Sequence, residues 1–420
     1  MKLLIRRFQD EWPSWAAVSF IALLPFHRLA EIPLSLFALA LPFLLAREQY
    51  RQSLRKAAHF LVPLFLCFWL PMVISSLDSM APRISWLHCL ADLRFLAATL
   101  SMAVLLHSSS ARWRVLRWTS FLLLFWAADG FVQLLLGSDV FGIAMHADRL
   151  NALFLEKYQF YGPTLAMLSP LLLEYARREW RPWAWAASFT LVLGAVLISG
   201  MRSGWLSMAI VLATYFVLML KRENLELRRT MLIVPVLAVL IAAGSYFASP
   251  VFQQRVELTR AVWAGTGESL DYASSYRLPI FITAIKMYQH HPVNGVGVRA
   301  FPVAYMQYAA KDDIHIVKSG GVSGAVHAHN VVLEVMSDTG SIGLFGLVLG
   351  FVLAMRSWKQ TSPAQRQDAY PYALAIALIL FPLNSHFSVY GTYTSSLVWF
   401  LVGMWAASLR DSMALPGSQR

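Results

Sequence analysis

The run HAHNVVLEVMSDTGSIGLFG begins at His327, places a second imidazole at His329 beside Asn330, and carries carboxylates at Glu334 and Asp338. A histidine titrates near a pKa of about 6.5, so at neutral pH much of it is uncharged and can take a proton from a hydroxyl within hydrogen-bond reach. By spacing alone His327, His329, His290, His291 and His315 are all candidates for such a base. Two arginines suit a complementary role. Arg202 lies in SGMRSGWL between Gly200 and Gly204, and Arg277 lies in SSYRLPIF between Ser275 and Pro279. A planar guanidinium grips phosphate oxygens with two parallel bonds. Ser274 and Ser275 as caps, with Pro279 in the first turn, predict a helix N-terminus at Arg277, which itself favours an anion. Each arginine also has a plainer reading, Arg202 as an interfacial anchor and Arg277 as a surface ion pair to Asp271. Asp312 and Asp313 in KDDIH form the paired carboxylates open to a metal, and read more simply as solvated loop acids. The sequence shows no phosphate-cradling glycine loop and no Cys or His metal spacing.

These residues must be positioned by a chain whose solvent is lipid. Of 420 residues, 58% are hydrophobic and 14% charged, more apolar surface than a soluble core can bury. Apolar runs fall near 14–27, 31–46, 57–77, 84–106, 114–136, 157–175, 182–200, 204–220, 230–248, 340–357, 370–387 and 394–409. The expectation is an all-α membrane protein of about 12 spanning helices. The ends and alternate connections (1–13, 47–56, 107–117, 176–181, 221–229, 356–366 and 410–420) carry 22 of the 35 lysines and arginines. The positive-inside rule makes them cytoplasmic, with both termini inside. The formal charge of +12 is thus a topology signal, and no nucleic-acid partner is expected. MKLLIRRFQDEWPSW reads as an uncleaved anchor, and Cys67 and Cys89 as small core residues.

This topology divides the chain into helices one to nine over 1–248, a periplasmic loop over 249–339, helices ten to twelve over 340–409, and a cytoplasmic tail over 410–420. A loop of that size is expected to fold and to carry function. VFQQRVELTRAVW and SYRLPIFITAIKMYQHH have helical apolar spacing, while GTGESLDYASS and HPVNGVGVRAF read as turns. The loop contains seven basic residues, seven acidic ones and five of the eleven histidines, so it is no simple basic patch. Within the spans, Asp92, Arg94 and Asp129 are ionisable groups that serve a site or pair to hold the bundle together, Arg94 with Asp129 being the expected pair.

Together these pieces resemble the O-antigen ligase and polymerase superfamily of bacterial inner-membrane glycosyltransferases. The sharpest shared motif is His-Asn, nine residues, then Gly-x-x-Gly, here His329-Asn330 followed by Gly340 and Gly343. SGMRSGWL, SSYRLPIF and HPVNGVGVRAF, the last containing Arg299, support it. The resemblance selects His329 as the catalytic residue and Arg202 and Arg277 as pyrophosphate ligands. Asn330, Arg94, Asp129, His327 and Arg299 remain secondary candidates, and Glu334 and Asp338 become supports or solvated helix positions.

The implied reaction transfers O-polysaccharide from undecaprenyl pyrophosphate to the lipid A–core oligosaccharide at the periplasmic side of the inner membrane. An imidazole would deprotonate the acceptor hydroxyl while arginines stabilise charge on the departing pyrophosphate, and a single in-line displacement would invert the anomeric centre. No metal, nucleotide or other cofactor is expected, and the partners are the two lipid-linked substrates and the surrounding lipid. An O-antigen polymerase, a protein O-oligosaccharyltransferase and, in a different class, a transporter or flippase of lipid-linked glycan stay as alternatives. Transfer is accordingly expected to proceed undiminished in EDTA; loss of activity rescued by a divalent ion would move the site to Asp312 and Asp313.

Overall fold

The computed structural model describes residues 2–146, 150–155, 158–220, 275–383 and 387–409, with parts of 233–260. The described chain is helical, without a strand, and short of regular pairing except for a bridge between Ser138 and Ala144. In order the helices are α1 (Lys2–Leu23), α2 (Glu31–Ala46), α3 (Glu48–Ser76), α4 (Pro82–Leu105), α5 (Ser109–Leu136), α6 (Tyr158–Glu179), α7 (Pro182–Ile198) and α8 (Arg202–Leu220). After these come α9 (Pro250–Arg260), α10 (Leu278–His290), α11 (Phe301–Tyr308), α12 (Ile314–Lys318), α13 (Val331–Gln360), α14 (Pro363–Ile379) and α15 (Thr392–Ser408). Among the described residues, Glu11–Ala46, α3, α4, α5 and α13 are long and apolar enough to cross a membrane, and this is a membrane protein. The basic stretch 221–229, Asp271, Ser274 and the tail 410–420 lie outside the described residues.

The chain divides into two compact units. The first contains residues 1–33, 109–259 and 371–378. Here α6 packs against α5, α7 and α8, and α1 against α5. Close approach depends on Gly162 and Gly204: a Cβ on Gly162 would sit 2.1 Å from the Ser199 hydroxyl, and one on Gly204 3.3 Å from the Gly162 carbonyl carbon. Small residues let helix backbones meet where lipid supplies no hydrophobic drive between them. In this interior the Tyr161 hydroxyl donates to the Trp126 carbonyl at 2.9 Å.

The second unit contains residues 34–108, 260–370 and 379–420. In it α3 packs on α13 and α4, and α4 packs on α15. Gly346 lets α13 close on α3, since a Cβ there would lie 2.2 Å from the Cys67 carbonyl oxygen. Cys67 and Cys89 are unbridged, Cys89 being buried. Above these helices α10 and α11 form a small layer whose core includes Ile280, Ala284, Met287, Phe301 and Tyr305.

The turn between α10 and α11 ties this layer to α13. The amides of Ser341 and Ile342 donate to the Pro292 and Val293 carbonyls at 2.9 and 3.1 Å, and those of Val296 and Gly297 to the Ser337 and Asp338 carbonyls at 2.8 and 3.1 Å. The last residues of the expected loop, from Val331, and the span expected to begin at 340 are one continuous element, kinked where Gly340 adopts φ 62°, ψ −158°. Only glycine occupies that region comfortably, and a Cβ would also meet the Val293 carbonyl oxygen at 2.4 Å. Gly340→Ala is expected to cost at least about 1–3 kcal/mol, read as a clear fall in the thermal midpoint of the purified protein; an unchanged midpoint would contradict the kink's role.

Candidate functional site

Asn330 starts α13 by using its side chain as the cap. Its Oδ1 accepts from the amides of Val332 and Leu333 at 3.0 and 3.1 Å, satisfying donors that have no partner inside the helix. Its Nδ2 donates to the Pro382 carbonyl at 2.9 Å, linking the helix start to the segment between α14 and α15. One residue earlier, His329 has φ 50°, a left-handed conformation that histidine tolerates better than most side chains. That backbone turn brings the His329 and His327 rings to 3.9 Å between centroids, both half-buried. The structure therefore brings both candidate imidazoles together at a helix N-terminus.

Glu334 and Asp338, one turn apart on α13, are each 1% exposed. The solvated reading of these two is corrected: a buried carboxylate must be hydrogen-bonded, and both are. Glu334 accepts from the Val389 and Tyr390 amides at 3.1 and 3.5 Å and from the Ser388 hydroxyl. Asp338 accepts from the Arg299 amide at 3.0 Å and the Ser337 hydroxyl at 3.3 Å. They fasten α13 to the residues before α15 on one side and to the turn before α11 on the other. Tyr390, whose phenol is pushed above its ordinary range by burial, shares a 2.8 Å hydrogen bond with Thr339. Ser388–Tyr390 carried no signal of their own in the sequence; their place in the short interval between two apolar runs was the available clue.

Arg277 stands at the N-cap of α10, with Pro279 in the first turn. The expected serine cap is not the arrangement found, because Ser275 and Tyr276 take φ 60° and 58° and lead the chain into the helix one residue later. The Tyr276 carbonyl lies 2.7 Å from Nε2 of His315, and Lys318 lies 4.8 Å from the centre of the Tyr276 ring. Of the KDDIH acids, Asp312 is exposed, but Asp313 is buried and caps α12 by accepting from the His315 and Ile316 amides. It also accepts from the Tyr305 hydroxyl at 2.9 Å, and burial followed by this bond raises the Tyr305 pKa. Asp313 is thus a structural acid, correcting its reading as solvated. His291 is 2.9 Å from the Tyr308 hydroxyl, and His290 is within 2.9 Å of the Lys286 carbonyl.

In the first unit Arg202 is the first residue of α8, half-buried after the tight turn at Gly200, φ 70°. Asp129 is 1% exposed and accepts from the Val140 amide at 2.9 Å. Asp139 organises the same loop, accepting from the Phe141 and Ile143 amides. In the second unit Arg94 donates to the Ala91 carbonyl at 2.9 Å and lies over the Phe95 ring, while Asp92 is 3.5 Å from His88. Arg94 and Asp129 belong to different units, each with partners of its own.

The chain is a helical membrane protein, and its second unit holds two imidazoles directly before a capped helix start. Residues 186–348 match the O-antigen ligase family model, a match over this part of the chain that supports the O-antigen ligase superfamily. The matched segment spans Arg202, Arg277, Arg299, His327, His329 and Asn330, and leaves out Arg94 and Asp129. Comparison with curated proteins gave no match. The family consists of glycosyltransferase-like enzymes of the ligase and polymerase type, acting on lipid-linked glycans.

Asn330→Ala should lower stability by about 1 kcal/mol through the lost cap, whereas Asn330→Asp keeps the cap and loses the donor to Pro382. Thermal unfolding should rank wild type above Asn330→Asp, with Asn330→Ala lowest; equal midpoints for all three would refute the capping role.

Proposed function

We propose that this protein is an O-antigen ligase, transferring a completed O-polysaccharide from undecaprenyl pyrophosphate to the lipid A–core oligosaccharide at the periplasmic face of the inner membrane. The observation that carries the choice of base is the placement of His329, held by its left-handed backbone directly before the Asn330 cap. In this reading the neutral His329 ring takes the proton of the acceptor hydroxyl as that oxygen attacks the anomeric carbon. The bond to the pyrophosphate breaks in the same displacement, inverting the centre, and the pyrophosphate leaves with the bonding pair. Arg277, standing at a helix N-terminus where the backbone amides already favour an anion, stabilises that charge. Arg202 carries the same assignment on the resemblance alone. His327 is a neighbour that shapes the environment of the base.

His329→Ala should abolish transfer, by on the order of a hundredfold or more, while donor binding and the thermal midpoint persist. Near-normal ligation by this variant would remove the assignment. Arg277→Lys and Arg202→Lys should each lower the rate, because a point charge does not replace the fork; full activity in both would contradict pyrophosphate binding. A deletion strain separates the ligase from the polymerase reading. Ligase loss leaves polymerised glycan on the lipid carrier and bare core, whereas polymerase loss leaves core bearing a single repeat unit.

A further inference from the structure

Arg299 occupies a conformation that its own sequence neighbourhood assigns to glycine. Gly295 and Gly297 take φ 71° and 107°, and Arg299 follows with φ 62°. Non-glycine residues there are uncommon and cost on the order of 1 kcal/mol or more. The backbone is pinned around it. Its amide donates to Asp338 at 3.0 Å, while the preceding residue, Val298, receives the Ser85 hydroxyl on its carbonyl at 2.7 Å and donates its amide to Ser75 at 3.2 Å. A left-handed arginine held this firmly points to a requirement for the side chain, since glycine would satisfy the backbone at less cost.

The guanidinium is half-buried and donates from Nη1 to the Ser388 hydroxyl at 3.5 Å. Ser388 in turn donates to Glu334. Among the described residues the guanidinium makes no direct ion pair with a carboxylate, its positive charge acting on Glu334 and Asp338 from beyond contact. Glu334 and Asp338 instead satisfy their oxygens with backbone amides and serine hydroxyls. A purely structural arginine beside two buried acids would be expected to fork onto one of them. This one is oriented through its backbone and through Ser388, which leaves most of its five N–H donors for a ligand.

We propose that Arg299 is a phosphate-binding residue, presented by Glu334, Asp338 and Ser388 to a phosphate of a lipid substrate. This rests on the reading of the protein as acting on lipid-linked pyrophosphate. Two substrates bring such a group, the pyrophosphate of the donor and phosphates on the acceptor core, and the binding measurements distinguish them.

The test uses the full-length protein in lipid nanodiscs. Affinities are measured for undecaprenyl pyrophosphate against undecaprenol, and for rough lipopolysaccharide before and after enzymatic removal of its phosphates. Arg299→Gln and Arg299→Gly should both weaken binding of at least one phosphorylated lipid by about tenfold or more, with undecaprenol binding and the thermal midpoint retained. Arg299→Gly should hold or raise the midpoint, because glycine relieves the left-handed backbone. The lipid whose affinity falls identifies the source of the phosphate. Unchanged affinity for both phosphorylated lipids in both variants would overturn the proposal. So would an Arg299→Gly variant that unfolds earlier and loses phosphorylated and neutral lipid alike, which would make the residue structural. His329→Ala is assayed in parallel for glycan transfer: wild-type transfer by that variant defeats the proposed catalytic role, while the Arg299 binding result stands independently.

Discussion

The second unit depends on burying two carboxylates on one helix. Glu334 and Asp338 are desolvated almost completely, and acids in that position are tolerated only when their oxygens find donors. The donors come from separate parts of the chain. Ser388, Val389 and Tyr390 precede α15, and the Arg299 amide precedes α11. Meeting this one electrostatic demand fixes the start of α13, the turn after α10 and the approach to α15 in a single arrangement. Gly340 then lets α13 bend beneath the turn at Val293, so the layer of α10 and α11 rests directly on the helix that His329 introduces.

That arrangement gives the proposed chemistry its footing. A base must be held while its proton moves, and His329 is placed by backbone geometry and by the Asn330 cap, which is also tied to Pro382. An anion site must present donors before the charge develops. Arg277 at the start of α10 and Arg299 before α11 both project from backbone that is already fixed.

Much of this was legible in the sequence, for identifiable reasons. Apolar runs marked the helices because lipid demands long uninterrupted apolar stretches: the expected 84–106 is α4 at Pro82–Leu105, and the expected 394–409 is α15 at Thr392–Ser408. The His-Asn to Gly-x-x-Gly spacing falls on a helix start and a kink, since Asn330 caps α13 and Gly340 takes its non-helical conformation. The burial of Glu334 and Asp338 was not legible, since an acid on an amphipathic helix looks the same whether it faces water or distant amides. Ser275 misled as a cap because two consecutive left-handed residues delay α10 to Leu278. The anchoring by Ser388–Tyr390 was hidden because those residues meet Glu334 across more than fifty positions of chain.

The most direct test of a ligase is reconstituted transfer. Purified protein, undecaprenyl pyrophosphate-linked O-polysaccharide and rough lipopolysaccharide would be combined without nucleotide, and the products resolved by size. A ladder of core-linked polysaccharide, formed as undecaprenyl pyrophosphate is released, is the predicted result. Elongation of the lipid-linked glycan with the core left bare would contradict the account and establish a polymerase instead.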